Sequence, residues 1–532
     1  MNVLVCDPIS PRGIAYFQAR PEFKVTVLSK RLSEAELLPL VADADALVVR
    51  SETKVTKKVL EAASHLKVVG RAGVGIDNVD VEGATQRGVV VMNTPAGNTI
   101  TTAELTFFML GALARKIPGA HATMAAGKWD RKAFQGTELF GKTLGILGAG
   151  RIGTEVARRA LAFGMRVIAY DPFLTDIRAR QLGLELALDP DVVYRESDFI
   201  TVHMPVTPET RGMINSDSIA RMKPGVRIIN CARGEIVNEA DLVAALQSGR
   251  VAGAALDVFS VEPLTADHPL RTLPNVILTP HLGASTEEAQ EKCGVEVAEI
   301  ITAFLLTGEV RNAVNLPGVD AKTYELVKPY LNLGEKLGRL LGQLANGPVD
   351  RLHITFGGKA QDLPQTDPVT RAILRGFLSN SAVKDINNIN VRSAATALGI
   401  CVEEKRSEEH VTFNEWLHVQ AFNGDTKVIS AGGTFFGSPN NPRIVRLFSL
   451  PVEMPTNGTL LLIRNHDRPG IVGHLGTVLG KHGVNIANMS LARDAAGGQA
   501  LTVLHLDSVP PQAALDELGQ DPAITSARVV TL

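Results

Sequence analysis

Arg233, Glu262 and His281 are the residues of this chain whose types and spacing can do acid–base chemistry on a small anion. A guanidinium grips a carboxylate through two parallel N–H bonds. An imidazole titrates near neutral pH, so it can take a proton from a hydroxyl or return it to a carbonyl oxygen. A carboxylate on the second ring nitrogen fixes the tautomer and favours the charged ring. Read singly, Glu262 is a loop charge and His281 a satisfied loop histidine. Each of the three, however, follows a separate strand-like run by a few positions: Val226–Asn230, 253–258 and 276–279. Ligands gather at the carboxyl ends of the strands in an open parallel sheet, so one edge would collect all three.

Upstream lies Gly148-Ala149-Gly150-Arg151-Ile152-Gly153, between the strand-like Thr143–Leu147 and a helical pattern carrying Ile152, Val156, Ala160 and Leu161. The next run, 165–170, ends in Asp171, about eighteen residues beyond the last glycine. That is the full context of a dinucleotide fingerprint. Gly148 permits the tight turn, Gly150 lets a pyrophosphate approach the backbone, and Gly153 allows close helix–strand packing. Helix N-terminal amides then hold the phosphate charge. Asp171 would accept the adenosine ribose hydroxyls and repel a 2′-phosphate, so NAD is expected over NADP. Beside a nicotinamide, the three residues above specify oxidation of a 2-hydroxy acid.

The elements that must position these groups form a regular rhythm. At 532 residues the chain suggests three or four domains. Short β-branched runs at 3–6, 25–28, 46–49, 67–69 and 89–92 alternate with helical segments, as in a doubly wound parallel sheet. A helix over 101–115 carries the chain into the second α/β unit, and one over 285–306 returns it to the first. Residues 315–450 mix helical runs with GG, NN and PNNP punctuation and hold no catalytic spacing. The rhythm resumes as strand 459–463, helix 469–482, strand 484–490, strand 499–506, a helix after Pro511 and strand 526–531. This βαββαβ order is the ferredoxin-like split unit.

Composition excludes several classes. Lys+Arg 54 against Asp+Glu 56 gives a net charge of -2, so no global field draws in nucleic acid or anionic membrane. The 18 Phe, 5 Tyr and 2 Trp form no basic–aromatic strip. Cys6, Cys231, Cys293 and Cys401 form no CxxC pair, so neither a disulfide framework nor a thiolate metal site is expected. The longest apolar stretch, 105–114, falls short of the ~20 residues of a membrane-spanning helix. The opening NVLVCD lacks the layout of a signal peptide, and a cytoplasmic protein is expected.

CARGEIVNEADL (231–242), ALDVFSVEP (255–263) and TPHLGAST (279–286) resemble the D-isomer-specific 2-hydroxy-acid dehydrogenases. VVRSETKVT (48–56), GRAGVGIDNVD (70–80), NTPAGNTITTAELT (93–106) and WDRKAFQGTEL (129–139) narrow this to the long, phosphoglycerate-oxidising branch. The resemblance covers essentially the whole chain. It implies an α/β fold: a flavodoxin-like substrate domain (1–98 with 285–312) and a Rossmann NAD domain (99–284). It also implies an α+β intervening domain (313–452) and a ferredoxin-like ACT domain (458–532). The implied activity is NAD-dependent oxidation of 3-phospho-D-glycerate to 3-phosphohydroxypyruvate, the first step of L-serine synthesis. A homo-oligomer, dimer or tetramer, is implied, with helix 101–115 in the contact and L-serine as feedback effector.

Residue by residue, the resemblance makes Arg233 the substrate-binding arginine, Glu262 the orienting acid and His281 the proton donor and acceptor. Gly73, Val74 and Gly75 would cradle the substrate carboxylate. Arg50, Ser51 and Arg71, with Arg131 from a neighbouring subunit, would meet the phosphate. Arg151, Ile152, Met204, Cys231, Ala232, Asp257, Gly283 and Ala284 would complete the cofactor site. In the last module the side-chain oxygens of Asn465, Asp467 and Asn485 would hold an ammonium, with Pro469 at the first helical position. The intervening domain of relatives suggests a second anion site, to which Lys359, Arg443 and Arg446 could contribute. Two rivals stand beside this reading. One is a related 2-hydroxy-acid dehydrogenase, for example one reducing 2-oxoglutarate. The other is a NAD-sensing binding protein, since corepressors related to the C-terminal binding proteins share this fold and catalytic set.

Overall fold

The computed structural model describes residues 1–318, 321–381, 386–407 and 413–532. The first sheet is made of Asn2–Val5 (β1), Lys24–Val27 (β2), Ala46–Val49 (β3), Val68–Arg71 (β4) and Val90–Asn93 (β5). Strands buried on both faces read as continuous β-branched runs, and β3, ALVV, is buried at every position. All five pair in parallel in the order β2-β1-β3-β4-β5, a flavodoxin-like winding.

The second sheet holds Thr143–Leu147 (β6), Arg166–Tyr170 (β7), Glu185–Ala187 (β8), Phe199–Val202 (β9), Val226–Asn230 (β10), Val251–Leu256 (β11) and Val276–Leu278 (β12). Its parallel order, β12-β11-β10-β9-β6-β7-β8, extends the Rossmann 3-2-1-4-5-6 arrangement by one strand. The order reverses between β6 and β9, so the dinucleotide crevice opens at their carboxyl ends. Helix Thr99–Arg115 enters this unit, burying Phe107, Leu110 and Leu113 against Leu144, Ile146 and Ile229. Helix Glu287–Thr307 leaves it and buries Val297, Ala298 and Ile301 against Val3, Val48 and Val68 of the first sheet. The two crossings set the carboxyl edges of the sheets against each other.

The region beyond 320 contains strands that the GG and NN punctuation hid. Arg351–Gly358 (β13), Cys401–Ser407 (β14), Glu415–Asn423 (β15), Thr426–Phe435 (β16), Pro442–Leu447 (β17) and Leu450–Pro455 (β18) form one mixed sheet, order β14-β13-β15-β16-β17-β18. Helices Ala321–Leu344 and Asp367–Leu378 cover one face of it. This region docks on the first unit through asparagines. Asn387 Nδ2 donates to Gly88 O at 2.9 Å, and Asn315 Nδ2 donates to Val89 O at 2.8 Å.

Last come Thr459–His466 (β19), Ile486–Arg493 (β20), Gln499–Leu506 (β21) and Ile524–Thr531 (β22), an antiparallel sheet in the order β20-β21-β19-β22. Helices Ile471–Lys481 and Gln512–Gly519 cover the face carrying Leu461, Ile463 and Leu504. The opposite face, with Leu460, Leu462, Leu501 and Val503, joins the core of the preceding mixed sheet. The helix begins at Ile471, two residues later than expected, because Gly470 takes a left-handed conformation (φ 91°) at its N-cap. Pro469 therefore lies outside the helix.

Candidate active site

The three chemistry-bearing residues meet. Strand β10 ends in Asn230, whose side chain braces the turn that follows: Nδ2 donates to Arg233 O at 2.8 Å, and Oδ1 accepts from Ala232 N at 3.0 Å. Strand β11 leads to Asp257, fully buried, which accepts from Thr279 Oγ1 at 2.6 Å, Leu282 N at 2.7 Å and Gly283 N at 2.8 Å. These bonds pin the loop after β12 with His281 in a left-handed conformation (φ 56°). His281 Nδ1 then lies 2.7 Å from Glu262 Oε2. An ionised carboxylate only accepts, so Nδ1 carries the hydrogen and Nε2 is left to face the pocket.

The electrostatics of the pair agree from both sides. The hydrogen bond that His281 donates to Glu262 raises the His281 pKa above the ordinary histidine value, outweighing burial. Burial is the largest influence on Glu262 and pushes its carboxyl up. The bond and charge of His281, the Phe259 amide and Arg233 together outweigh it and leave the pKa lowered.

Across the cleft the first sheet delivers cations. Arg50 follows β3, and Arg71 ends β4. Arg50 is held by its backbone: Asp7, 1% exposed, accepts from Arg50 N at 2.6 Å and Thr53 N at 3.1 Å. Arg233 Nε reaches Asp77 Oδ2 of the first unit at 3.0 Å, so this guanidinium spans the cleft beside Gly75. Asn93 Nδ2 supports the Gly73–Gly75 turn by donating to Val74 O at 2.7 Å. Burial, with the like charges of Arg233 and Arg50 adding to it, draws the Arg71 pKa down to about 10. Its Nε is buried without a partner. A cavity of about 720 Å³ is lined by Arg50, Ser51, Arg71, Glu262, Arg271 and His281, among others. Such a cavity, with an anion-hungry wall facing an acid–base pair, suits a small multiply charged acid.

The nucleotide fingerprint has the geometry its glycines require. Gly148 adopts φ 97°, and a Cβ on Gly153 would fall 2.0 Å from Gly148 O, so the helix packs directly on the turn. A Cβ on Gly150 would meet nothing within 4 Å, which leaves its backbone open at the start of helix Arg151–Ala162. Asp171 is oriented by accepting from Ala149 N at 2.9 Å and Phe173 N at 2.8 Å, and a carboxylate has further acceptor sites for a ribose. Ile152, Met204 and Ala232 are half-buried around this crevice, and Arg151 is exposed. The residues present fit a dinucleotide. Cys231 can offer a ligand only its backbone: its Sγ faces Met109 Sδ at 3.7 Å, and burial pushes the thiol up to about 12. Thr102 Oγ1 donates to Gly283 O at 2.8 Å, and Ala284 lines the catalytic cavity.

Other expected residues lie apart. Arg131 sits on an exposed loop and does not line the cavity. Elsewhere on this unit exposed apolar side chains include Phe108 at 67%, Trp129 at 79% and Phe140 at 74%. In the last sheet Asn465 is fully buried, on the face that carries Leu461 and Ile463, with Nδ2 donating to His466 O. Asp467 accepts from Arg493 Nη1 at 2.6 Å, and Asn485 Nδ2 donates to Asp507 Oδ2 at 2.6 Å. In the mixed sheet Lys359 pairs with Glu415 at 3.8 Å, Arg443 has a buried Nε without a partner, and Arg446 lies over the Trp416 ring at 5.4 Å. Among the described residues no cluster of His, Cys, Asp and Glu could hold a metal ion, and no helix is long and apolar enough to cross a membrane.

Sequence reasoning missed the braces. Asp7, Asp77, Asn230 and Arg271 have partners distant in the chain or in irregular turns. The signal available for Asp77 was its place in GVGIDNVD, and for Asn230 its place at the end of the run before Arg233.

Comparison with known proteins adds to this geometry. Residues 107–283 match the family model described as D-isomer specific 2-hydroxyacid dehydrogenase, NAD binding domain. Residues 326–448 match the D-3-phosphoglycerate dehydrogenase intervening domain, and 459–523 the ACT domain. The chain is 44% identical over 531 residues to D-3-phosphoglycerate dehydrogenase of Synechocystis sp., covering 100% of this chain and 95% of the relative. It is 41% identical to the enzyme of the same name from Methanocaldococcus jannaschii, covering 100% of both. Among solved structures it resembles NAD-dependent formate dehydrogenase from Staphylococcus aureus in complex with NAD. That likeness is at 29% identity and a TM-score of 0.54, over 60% of this chain and 100% of the other.

Proposed function

The chain belongs to the D-3-phosphoglycerate dehydrogenases of the D-isomer-specific 2-hydroxyacid dehydrogenase family, and on that premise we propose how its site works. It is an NAD-dependent oxidoreductase that converts 3-phospho-D-glycerate to 3-phosphohydroxypyruvate. The nicotinamide, when bound, supplies the hydride acceptor. Arg233 and the Gly73–Val74–Gly75 amides hold the substrate carboxylate. Arg50, Ser51 and Arg71 take the phosphate, and Arg131 joins them from a neighbouring subunit. His281, neutral at Nε2, takes the hydroxyl proton as the alcohol is oxidised and returns it in the reverse reaction. Glu262 keeps the ring in that tautomer and stabilises the imidazolium. The observation that carries this reading is the 2.7 Å His281–Glu262 contact on the wall of a cavity that also holds Arg50 and Arg71.

Assembly, compartment and control complete the proposal. The exposed Phe108, Trp129 and Phe140 support a homo-oligomer, in which Arg131 would act from a neighbouring subunit. The four free cysteines support a reducing cytoplasm. The ACT match supports an amino-acid effector, and we propose L-serine, held by Asn465, Asp467 and Asn485.

The test follows reduced nicotinamide by absorbance with NAD and 3-phosphoglycerate, then with glycerate, with added L-serine, and in reverse with 2-oxoglutarate. Turnover of phosphoglycerate, a much higher KM for glycerate and a fall on adding serine are expected. Turnover of 2-oxoglutarate alone would reassign the substrate, and NAD binding without turnover of any acid would remove the enzymatic reading. A flat response to serine, with no calorimetric binding, would leave the ACT module a dimerising unit.

A further inference from the structure

Glu262 stands in a long irregular stretch between β11 and β12, and a group on such a loop holds catalytic geometry only if the loop is anchored. One anchor is local: Phe259 N donates to Glu262 Oε1 at 3.1 Å. The others come from outside. Glu239, the first residue of helix Glu239–Gln247, accepts from Ser260 N through Oε1 at 2.6 Å. Its Oε2 lies 3.2 Å from His268 Nε2, and Leu270 N donates to His268 Nδ1 at 3.4 Å. Nδ1 is thus the acceptor of the Leu270 amide, and the other edge of the ring faces Glu239. One carboxylate therefore ties together the two ends of the stretch that presents Glu262. Arg271 closes it, with Nε and Nη2 donating to Thr265 O and Leu264 O, both at 2.8 Å.

The clamp is rigid. The Glu239 side chain is 13% exposed, and a carboxylate in the first turn of a helix is favoured by the helix dipole. The Arg233 turn touches the same loop: a Cβ on Gly234 would fall 1.9 Å from the backbone carbon of Phe259. Glu239 does not line the catalytic cavity.

We infer that Glu239 is a positioning residue for proton transfer, acting through Ser260 and His268 to keep Glu262 seated on His281. The inference rests on the role given to the His281–Glu262 pair above. The charged groups facing His281 are Glu262, Asp257 and Arg233, and Glu262 in turn faces His281 and Arg233. None of these is altered when Glu239 is replaced, so a change in His281 behaviour reports the position of Glu262.

The experiment measures kcat/KM for phosphoglycerate oxidation against pH in the full-length enzyme carrying Glu239→Ala, Glu239→Gln, Glu239→Asp or Glu262→Gln. A misplaced catalytic group costs about tenfold to a hundredfold in rate. Glu239→Ala should lose about that much kcat with the KM for NAD unchanged. Its acid limb should move to lower pH, because a histidine released from its carboxylate loses its proton more readily. Glu239→Gln keeps an acceptor for Ser260 N and should restore the limb and most of the rate. A lower rate with an unmoved limb, or a Gln variant as damaged as the Ala variant, would overturn the inference. If Glu239→Ala fails to fold, Glu239→Asp, which withdraws the carboxylate by one methylene, decides on the same limb. Movement of the limb in Glu262→Gln but in none of the Glu239 variants would sink this inference alone. An unmoved limb in Glu262→Gln would sink the reading of the pair beneath it.

Discussion

Replacing Arg71 by methionine should make the ligand-free protein more stable and a worse enzyme for phosphorylated substrates only. Arg71 is mostly buried, its Nε has no partner, and Arg233 and Arg50 repel it, so its pKa falls from the ordinary arginine value to about 10. At about 1.4 kcal/mol per pKa unit, that corresponds to roughly 3 kcal/mol against the charged form. The sign follows from linkage. At pH 7 the guanidinium is charged in both folded and unfolded chains, so the folded state carries the full cost, which is relieved only above pH 10. Methionine removes the charge and fills the space with a flexible apolar chain. The ligand-free melting temperature should therefore rise by several degrees, at about 2–4 °C per kcal/mol for a domain of this size. Losing a charge-assisted hydrogen bond costs about 1.5–3 kcal/mol, or roughly tenfold to 150-fold in KM. That loss should fall on 3-phosphoglycerate and spare glycerate. Differential scanning fluorimetry of the ligand-free variant and nicotinamide absorbance with both acids give the two readouts. A lower melting temperature would mean that the fold stores no cost at Arg71. An equal rise in KM for both acids would mean that Arg71 does not read the phosphate.

Three more predictions follow from the same geometry. Glu262→Gln should shift the acid limb of oxidation to lower pH and slow the reverse reaction most above neutral pH, since reduction needs protonated His281 and Glu262 raises its pKa; pH–rate profiles in both directions check this. Gly153→Ala places a methyl 2.0 Å from Gly148 O, so calorimetry should find NAD binding lost and melting should find a cost of about 1–3 kcal/mol. Asp171→Asn should weaken NAD and narrow its advantage over NADP by about tenfold or more in KM, because the repulsion of a 2′-phosphate goes with the charge; unchanged selectivity would mean the carboxylate serves only the Ala149 and Phe173 amides.

What could be read from the residues follows a physical division. Parallel strands buried on both faces advertise themselves as β-branched runs, and Ala46–Val49, Thr143–Leu147 and Val226–Asn230 have the bounds their sequences suggest. A fingerprint glycine is legible for the same reason: the constraint it satisfies is local. The mixed sheet is different. Strand Arg351–Gly358 alternates buried and half-buried positions, and its antiparallel partner, Glu415–Asn423, lies far along the chain, so its pairing was invisible. Asn465 marks the limit most clearly. Its type suggests a ligand, but strand Thr459–His466 runs on past Ile463, and period two turns Asn465 onto the packed face with Leu461 and Ile463.

The same division separates the proposed catalytic residues from what holds them. Arg233, Glu262 and His281 are exposed by their chemistry, and carriage on strand ends makes their convergence deducible. The bonds that brace the convergence come from residues that take no part in the proton transfer: Asn230 inside its own turn, Asp257 across to the loop after the next strand, and Glu239 to an irregular loop. Each satisfies backbone amides or carbonyls that a loop does not satisfy for itself, so each is required by the hydrogen bonding of the loop rather than by the reaction. A dehydrogenase site is therefore legible where the reaction selects side chains. It becomes illegible one shell outward, where the fold selects them, and it is in that shell that the distance between Glu262 and His281 is decided.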